Sequence, residues 1–159
     1  MKRRMLKRLI SVLVVAIMIC SLIPSVKPKA ASDSSGLINY RTHVQTYGWQ
    51  DWKSDGAMTG TSGEAKRLEC IEIKLGDTGY EGGIIYRTHV QSFGWLEWVE
   101  DGMMSGTFGM SKRLEGIEIS LYGEVSEYYD VYYRVHVQTY GWQAWKSNGV
   151  MAGTSGEGK

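Results

Sequence analysis

Residues 43–52 read HVQTYGWQDW, residues 89–98 read HVQSFGWLEW, and residues 136–145 read HVQTYGWQAW. The chain writes one ten-residue stretch three times, and every other feature falls into place around it. All six tryptophans and all three histidines lie inside these copies. Trp49 and Trp95 stand 46 residues apart, Trp95 and Trp142 47. Such a period marks a repeat architecture, in which each unit buries its apolar face on its neighbours. A glycine-punctuated tail follows each copy at fixed distance: Gly56, Gly60 and Gly63, then Gly102, Gly106 and Gly109, then Gly149, Gly153 and Gly156.

Upstream of the third copy, Val131, Tyr133, Val135 and Val137 alternate with Tyr132, Arg134, His136 and Gln138. A period of two over eight residues predicts a half-buried strand. The earlier copies agree, with Tyr40, Thr42 and Val44 opposing Arg41, His43 and Gln45, and Tyr86, Thr88 and Val90 opposing Arg87, His89 and Gln91. A second strand is written downstream as RLECIEIKL at residues 67–75 and RLEGIEISL at residues 113–121. Ile117, Ile119 and Leu121 face inward there, but the same parity would carry Glu115, and likewise Glu69, inward too. Either a β-bulge at Glu69-Cys70 and Glu115-Gly116 resets the phase, which is the preferred reading, or a glutamate is buried at a structural hydrogen bond. Asp55-Gly56, Asp101-Gly102 and Asn148-Gly149 predict tight turns, and short strands fit residues 58–61 and their equivalents. Residues 76–83 and 122–130 join one unit to the next, most simply as hairpins.

These elements predict an all-β protein with three internal repeats of about 46 residues in a pseudo-threefold body of β-trefoil or β-prism type, the third repeat truncated. A linear array satisfies the same pattern. The organisation is a signal peptide and leader over residues 1–31, a linker over 32–37, repeat one over 38–83, repeat two over 84–130 and a partial repeat three over 131–159. The last unit stops at Lys159, where Lys66 and Lys112 lead into RLE, so a closed threefold body is one strand short. We read the chain as a fragment of a longer protein.

The GWxxW core, the upstream HVQ, the GT-containing tail and RLExIxIxL together resemble the clostridial hydrophobic repeat with conserved tryptophan, the ChW repeat. The resemblance covers nearly everything after about Ile38, as two full units and one partial unit. It implies a secreted or surface-attached protein of Gram-positive bacteria with a role in binding or adhesion, and it supplies no catalytic residues.

The leader carries KRRMLKR at residues 2–8 and a fifteen-residue apolar run at residues 9–23. That run suits a secretory signal and falls short of the roughly 20 residues needed to span a bilayer. Ala30 or Ala31 offers a cleavage point, with Ser25 as the alternative. Export follows, to a secreted or cell-surface-associated location with no stable membrane span after signal removal. Seven of the eighteen Lys and Arg lie in the first thirty residues and none of the seventeen acids does, so the remainder carries a formal charge of −6. An acidic chain offers no basic patch to nucleic acid. Cys20 falls in the leader and Cys70 stands alone, which excludes a disulfide framework within the mature chain and leaves Cys70 a small buried filler or, as the alternative, one end of an intermolecular bridge.

The histidines share a strand face with Arg and Gln, opposite the valines, so a trigonal metal site on a threefold axis is not expected. Carboxylates pair at Glu69/Glu72, Glu115/Glu118 and Asp51/Asp55, but they recur with the repeat as fold-specifying residues do, and Asp51 becomes Glu97 and then Ala144. No catalytic residue, cofactor or metal is assigned. The tryptophans remain. Trp49, Trp95 and Trp142, each after a glycine, are expected in the core. Trp52, Trp98 and Trp145 are expected to be exposed as ligand platforms, flanked by Gln45, Gln91 and Gln138. The expected protein is a non-catalytic module that binds cell-wall or extracellular polysaccharide, or alternatively an adhesive repeat that binds a surface protein.

Overall fold

The computed structural model describes residues 36–159, so the expected signal peptide and most of the linker lie outside the described residues. Repeat one forms β1 (Ile38–Val44), β2 (Gly48–Trp49), β3 (Lys53–Ser54) and β4 (Leu68–Leu75). Repeat two forms β5 (Gly83–Val90), β6 (Gly94–Trp95), β7 (Val99–Glu100), β8 (Ser105–Gly106) and β9 (Leu114–Tyr122). One helical turn, α1 (Val125–Tyr128), precedes repeat three, which forms β10 (Tyr132–Tyr133), β11 (His136–Val137), β12 (Gly141–Trp142), β13 (Lys146–Ser147) and β14 (Ala152–Gly153). The protein is all-β with three repeats, as the spacing predicts.

Within a repeat the HVQ strand is the centre. β1 pairs on one edge with β2 and β3, which carry the GWxxW turn back along it, and on the other edge with β4. β5 repeats the arrangement with β6, β7 and β9. The Asp55-Gly56 and Asn148-Gly149 turns have positive φ at both central residues, the combination whose twist matches a hairpin.

The bulge is present: Val44 opposes Leu68 while His43 opposes Cys70, so Glu69 is the extra residue, and Glu115 is its equivalent between Leu114 and Gly116. Burial of the glutamate is present as well, with Glu69 5% and Glu115 6% exposed. The two alternatives are one device, because the bulge turns the carboxylate toward a neighbouring His and Arg.

Two connections differ from expectation. β4 and β5 are not hydrogen-bonded to each other, nor β9 to β10, so the inter-repeat links are not hairpins. Each link carries the chain into a new sheet, and in the second link α1 seals the turn by burying Val125 completely. What joins the repeats is the glycine tail. β8 of repeat two pairs with β4 of repeat one, and β14 of repeat three pairs with β9 of repeat two. Glycine is required at these crossings: a Cβ on Gly106 would lie 2.5 Å from the Glu69 carbonyl oxygen, and one on Gly153 2.2 Å from that of Glu115. A tyrosine bolts each joint. The Tyr86 hydroxyl accepts from the Ile73 amide at 3.0 Å and donates to the Met103 carbonyl. Tyr133 does the same between the Ile119 amide, at 3.1 Å, and the Val150 carbonyl, at 2.6 Å.

The core draws on all three repeats: Ile73, Ile84, Tyr86, Ile117, Ile119, Leu121, Val131, Tyr133 and Ala152 are buried together with Val125. Cys70 is fully buried nearby, and burial pushes its thiol up to about 12. Burial likewise raises the Tyr86 hydroxyl to about 12. No tryptophan belongs to the core.

Candidate functional site

The strand alternation that sends Tyr40 and Thr42 inward sends Arg41 and His43 out, toward the GWxxW turn folded alongside. Arg41 is caught there between two indoles. Its guanidinium carbon lies 4.6 Å from the Trp49 ring centroid and 4.9 Å from that of Trp52. Arg87 stands 4.9 Å from Trp95 and 4.8 Å from Trp98. Arg134 stands 4.9 Å from Trp142 and 4.7 Å from Trp145. A guanidinium over an indole face is held by the ring quadrupole, and Arg stacks flat where Lys cannot. Histidine extends the row, since His43, His89 and His136 meet Trp49, Trp95 and Trp142 edge-on at 5.6, 5.4 and 5.5 Å.

The RLExIxIxL strand supplies the counter-charges. Arg41 Nε lies 2.7 Å from Glu72 and Arg87 Nε 2.7 Å from Glu118. His43 Nδ1 stands 3.2 Å from Glu69, and His89 Nδ1 3.2 Å from Glu115. Arg67 adds a 3.2 Å contact to Glu69, and Arg113 a 3.7 Å contact to Glu115. These carboxylates are engaged as partners of the repeat's own cations. Among the described residues no group of three His, Cys, Asp or Glu side chains is placed to hold a metal ion.

The expected division of each tryptophan pair into one core and one exposed ring is corrected here. Trp49 and Trp95 are half-buried and Trp142 is 46% exposed. The glycine before each does not tuck the ring inward; Gly48, Gly94 and Gly141 take φ of 76 to 77° to close the turn, and the ring lies over arginine instead. Trp98 and Trp145 are 40% and 54% exposed, while Trp52 is half-buried because the Lys74 ammonium sits 4.5 Å above it. Repeat two has Ser120 at that position, which leaves Trp98 more open.

The glutamines Gln45 and Gln91 serve a different end of the strand, and Gln138 is exposed. The Gln45 backbone N–H donates to the Arg67 carbonyl, that of Gln91 to Arg113, and Gln45 Oε1 accepts from the Arg67 backbone N–H at 3.4 Å. Another glutamine does positional work unnoticed in the sequence: Gln50 and Gln143 Oε1 each accept from a tail amide, Gly60 and Gly153, at 2.7 Å. Also unremarked are Tyr47, Phe93 and Tyr140, each 55% exposed at the tip of the HVQ turn. The Tyr47 and Tyr140 hydroxyls donate to Glu64 and Glu157 at 2.6 and 2.8 Å. Their recurrence at one offset inside the motif was the available signal.

Each repeat thus displays a row of flat aromatic and cationic surface at one side and a single exposed ring at the turn tip. Such a surface can stack against flat apolar faces and donate hydrogen bonds from indole N–H groups. A family model described as Clostridial hydrophobic W matches the chain three times, over residues 43–77, 89–123 and 136–159. No curated protein and no solved structure shows significant similarity to the chain.

Proposed function

The chain belongs to the Clostridial hydrophobic W family, a repeat module that occurs in surface and secreted proteins, and from that premise we propose that it is an exported, non-catalytic binding module for a glycan or cell-wall polymer. The tryptophan rows are the contact surface, with Trp98 and Trp145 as its most open members. The observation that carries this reading is that six indoles recur at fixed positions and none is in the core. A core anchor would explain recurrence by burial alone; a ring held flat at the surface by arginine has been kept there at the expense of hydrophobic burial. Sugars present C–H faces that stack on such rings, and the three equivalent rows give a module of up to three shallow sites. Among the described residues no helix is long and apolar enough to cross a membrane.

The test is co-sedimentation with insoluble peptidoglycan and with insoluble polysaccharide, with soluble oligosaccharide as competitor. Retention that the competitor reverses supports the glycan reading. Failure to bind either matrix, with retention on a surface-protein fraction, moves the assignment to an adhesive repeat that contacts protein. The same rows serve that second reading, since Trp and Arg are the residues most enriched at protein hot spots.

A further inference from the structure

Repeats one and two share one strand arrangement but surround the second indole with different charges. Lys74 opposes Asn39, which opposes Ser54 on its other edge, so these three residues form a row across the sheet. The equivalent row of repeat two is Ser120, Ile85 and Glu100. Residues opposed in this way project from one face of the sheet, here the face that also carries Arg41 and Arg87 two positions along each strand. In repeat one the row supplies a cation to the ring. Lys74 Nζ lies 4.5 Å from the Trp52 centroid, and its stem passes Gly102 so closely that a Cβ there would come within 3.0 Å of Cε. In repeat two the ammonium is missing. The Ser120 hydroxyl donates to the Leu121 carbonyl at 3.3 Å, and Trp98, with Arg87 as its cation, is 40% exposed.

The change extends beyond one residue. Lys53, Ser54 and Lys74 of repeat one give way to Val99, Glu100 and Ser120, while Asp51 stays acidic as Glu97. Two ammonium groups leave and one carboxylate arrives around the same pair of indoles. Glu97 and Glu100 are both exposed. Among the described residues the ion pairs of repeat two, Arg87–Glu118, His89–Glu115 and Arg113–Glu115, use neither of them. Repeat one thus covers its second indole with its own cation, and repeat two presents the same ring uncovered in an acidic setting. On the glycan reading above, we propose that the Trp98 face is a seat for the ammonium group of an unacetylated amino sugar in the bound polymer. Lys74 fills the equivalent seat in repeat one.

The contact of Lys74 with Trp52 defines the chemistry of the seat. An ammonium over an indole face is attracted by the ring quadrupole, and this framework holds one there in repeat one. Glu97 and Glu100 add the negative potential that draws a cation toward the ring. A pyranose supplies what a bare cation lacks, since its C–H face stacks on the indole while the amine at its edge points to the carboxylates. An N-acetylated sugar keeps the stacking and loses the charge. Ser120 and Glu100 are therefore the specificity-determining residues of repeat two, and Lys74 is their counterpart in repeat one.

The experiment titrates the whole protein by calorimetry with the glucosamine tetramer, its amines protonated, and with the N-acetylglucosamine tetramer. The free-amine tetramer should bind about three- to tenfold more tightly, as one exposed cation–π contact and one exposed ion pair allow, and added salt should narrow the margin. Ser120→Lys, which copies repeat one, should erase the margin, and Glu100→Ser, which copies repeats one and three, should reduce it. Unchanged melting curves check that both variants stay folded. Lys74→Ser should add one equivalent of free-amine tetramer bound per chain at saturation. Equal binding of the two tetramers, a margin that survives Ser120→Lys, or no binding of either by protein that peptidoglycan retains would overturn the proposal and leave the glycan reading standing. Tighter binding of a trilysine peptide than of the free-amine tetramer would overturn the sugar as occupant. Failure on both tetramers, on peptidoglycan and on polysaccharide would remove the glycan reading and this seat with it.

Discussion

Arg87 holds one side of a repeat together, since it stacks on Trp95 and Trp98 and pairs with Glu118. Replacing it with Ala should destabilise the protein by about 1–2 kcal/mol, the sum of exposed cation–π and ion-pair contributions. Lysine should recover the charge and little of the loss, because only the planar guanidinium fills the space between two rings; denaturant titration of both variants checks this. Cys70 gives a sharper contrast. With its thiol raised to about 12 by burial, it should resist alkylation at pH 8 in the native protein and react at once in denaturant, and fast native labelling would contradict its placement. At this scale the sequence was half legible. Strand parity put Arg41 and His43 outward, where they are. It could not place Trp49 or Trp52, because they sit on a turn to which no period applies. The clue was the arginine standing eight and eleven residues before each pair in every copy, a spacing that becomes contact only when the turn folds back on the strand.

Elements are joined by glycine, and the positions are not equivalent. Gly106→Ala drives a Cβ into the β4 backbone and keeps a left-handed φ of 123°, so it should cost roughly 2–5 kcal/mol from strain and overpacking. Gly109→Ala meets nothing within 4 Å and should cost only about 1 kcal/mol for its positive φ. Thermal melts of the pair decide it, and equal losses would mean that β8 does not cross β4 as described. The two long strands, the bulge and the Asp-Gly turns were all readable, since each depends on local pattern. The pairing of β8 on β4 and of β14 on β9 was not. It links residues of successive repeats, and nothing within one unit says which neighbour its tail will meet.

Across the whole molecule, two buried groups tie stability to alkaline pH. Cys70 and Tyr86 are neutral when folded, and both have raised values near 12, against ordinary values of 9.0 and 10.0. The unfolded chain therefore loses these protons first, and their contribution is fully present below pH 9 and is lost as the pH rises toward 12. Stability should fall over that window, with Tyr86→Phe removing part of the slope. The repeat count came from the period and the all-β class from the strand alternation within it; the facing of repeat one and repeat three across a cavity is legible only in the folded chain. The core is built without the tryptophans, which line the surface. Replacing Trp52, Trp98 and Trp145 together with Ala tests this most directly, with unfolding and peptidoglycan co-sedimentation measured on the same sample. The triple variant should keep a cooperative transition and lose binding; collapse of the fold, or binding undiminished, would place these rings in the core or outside the contact surface.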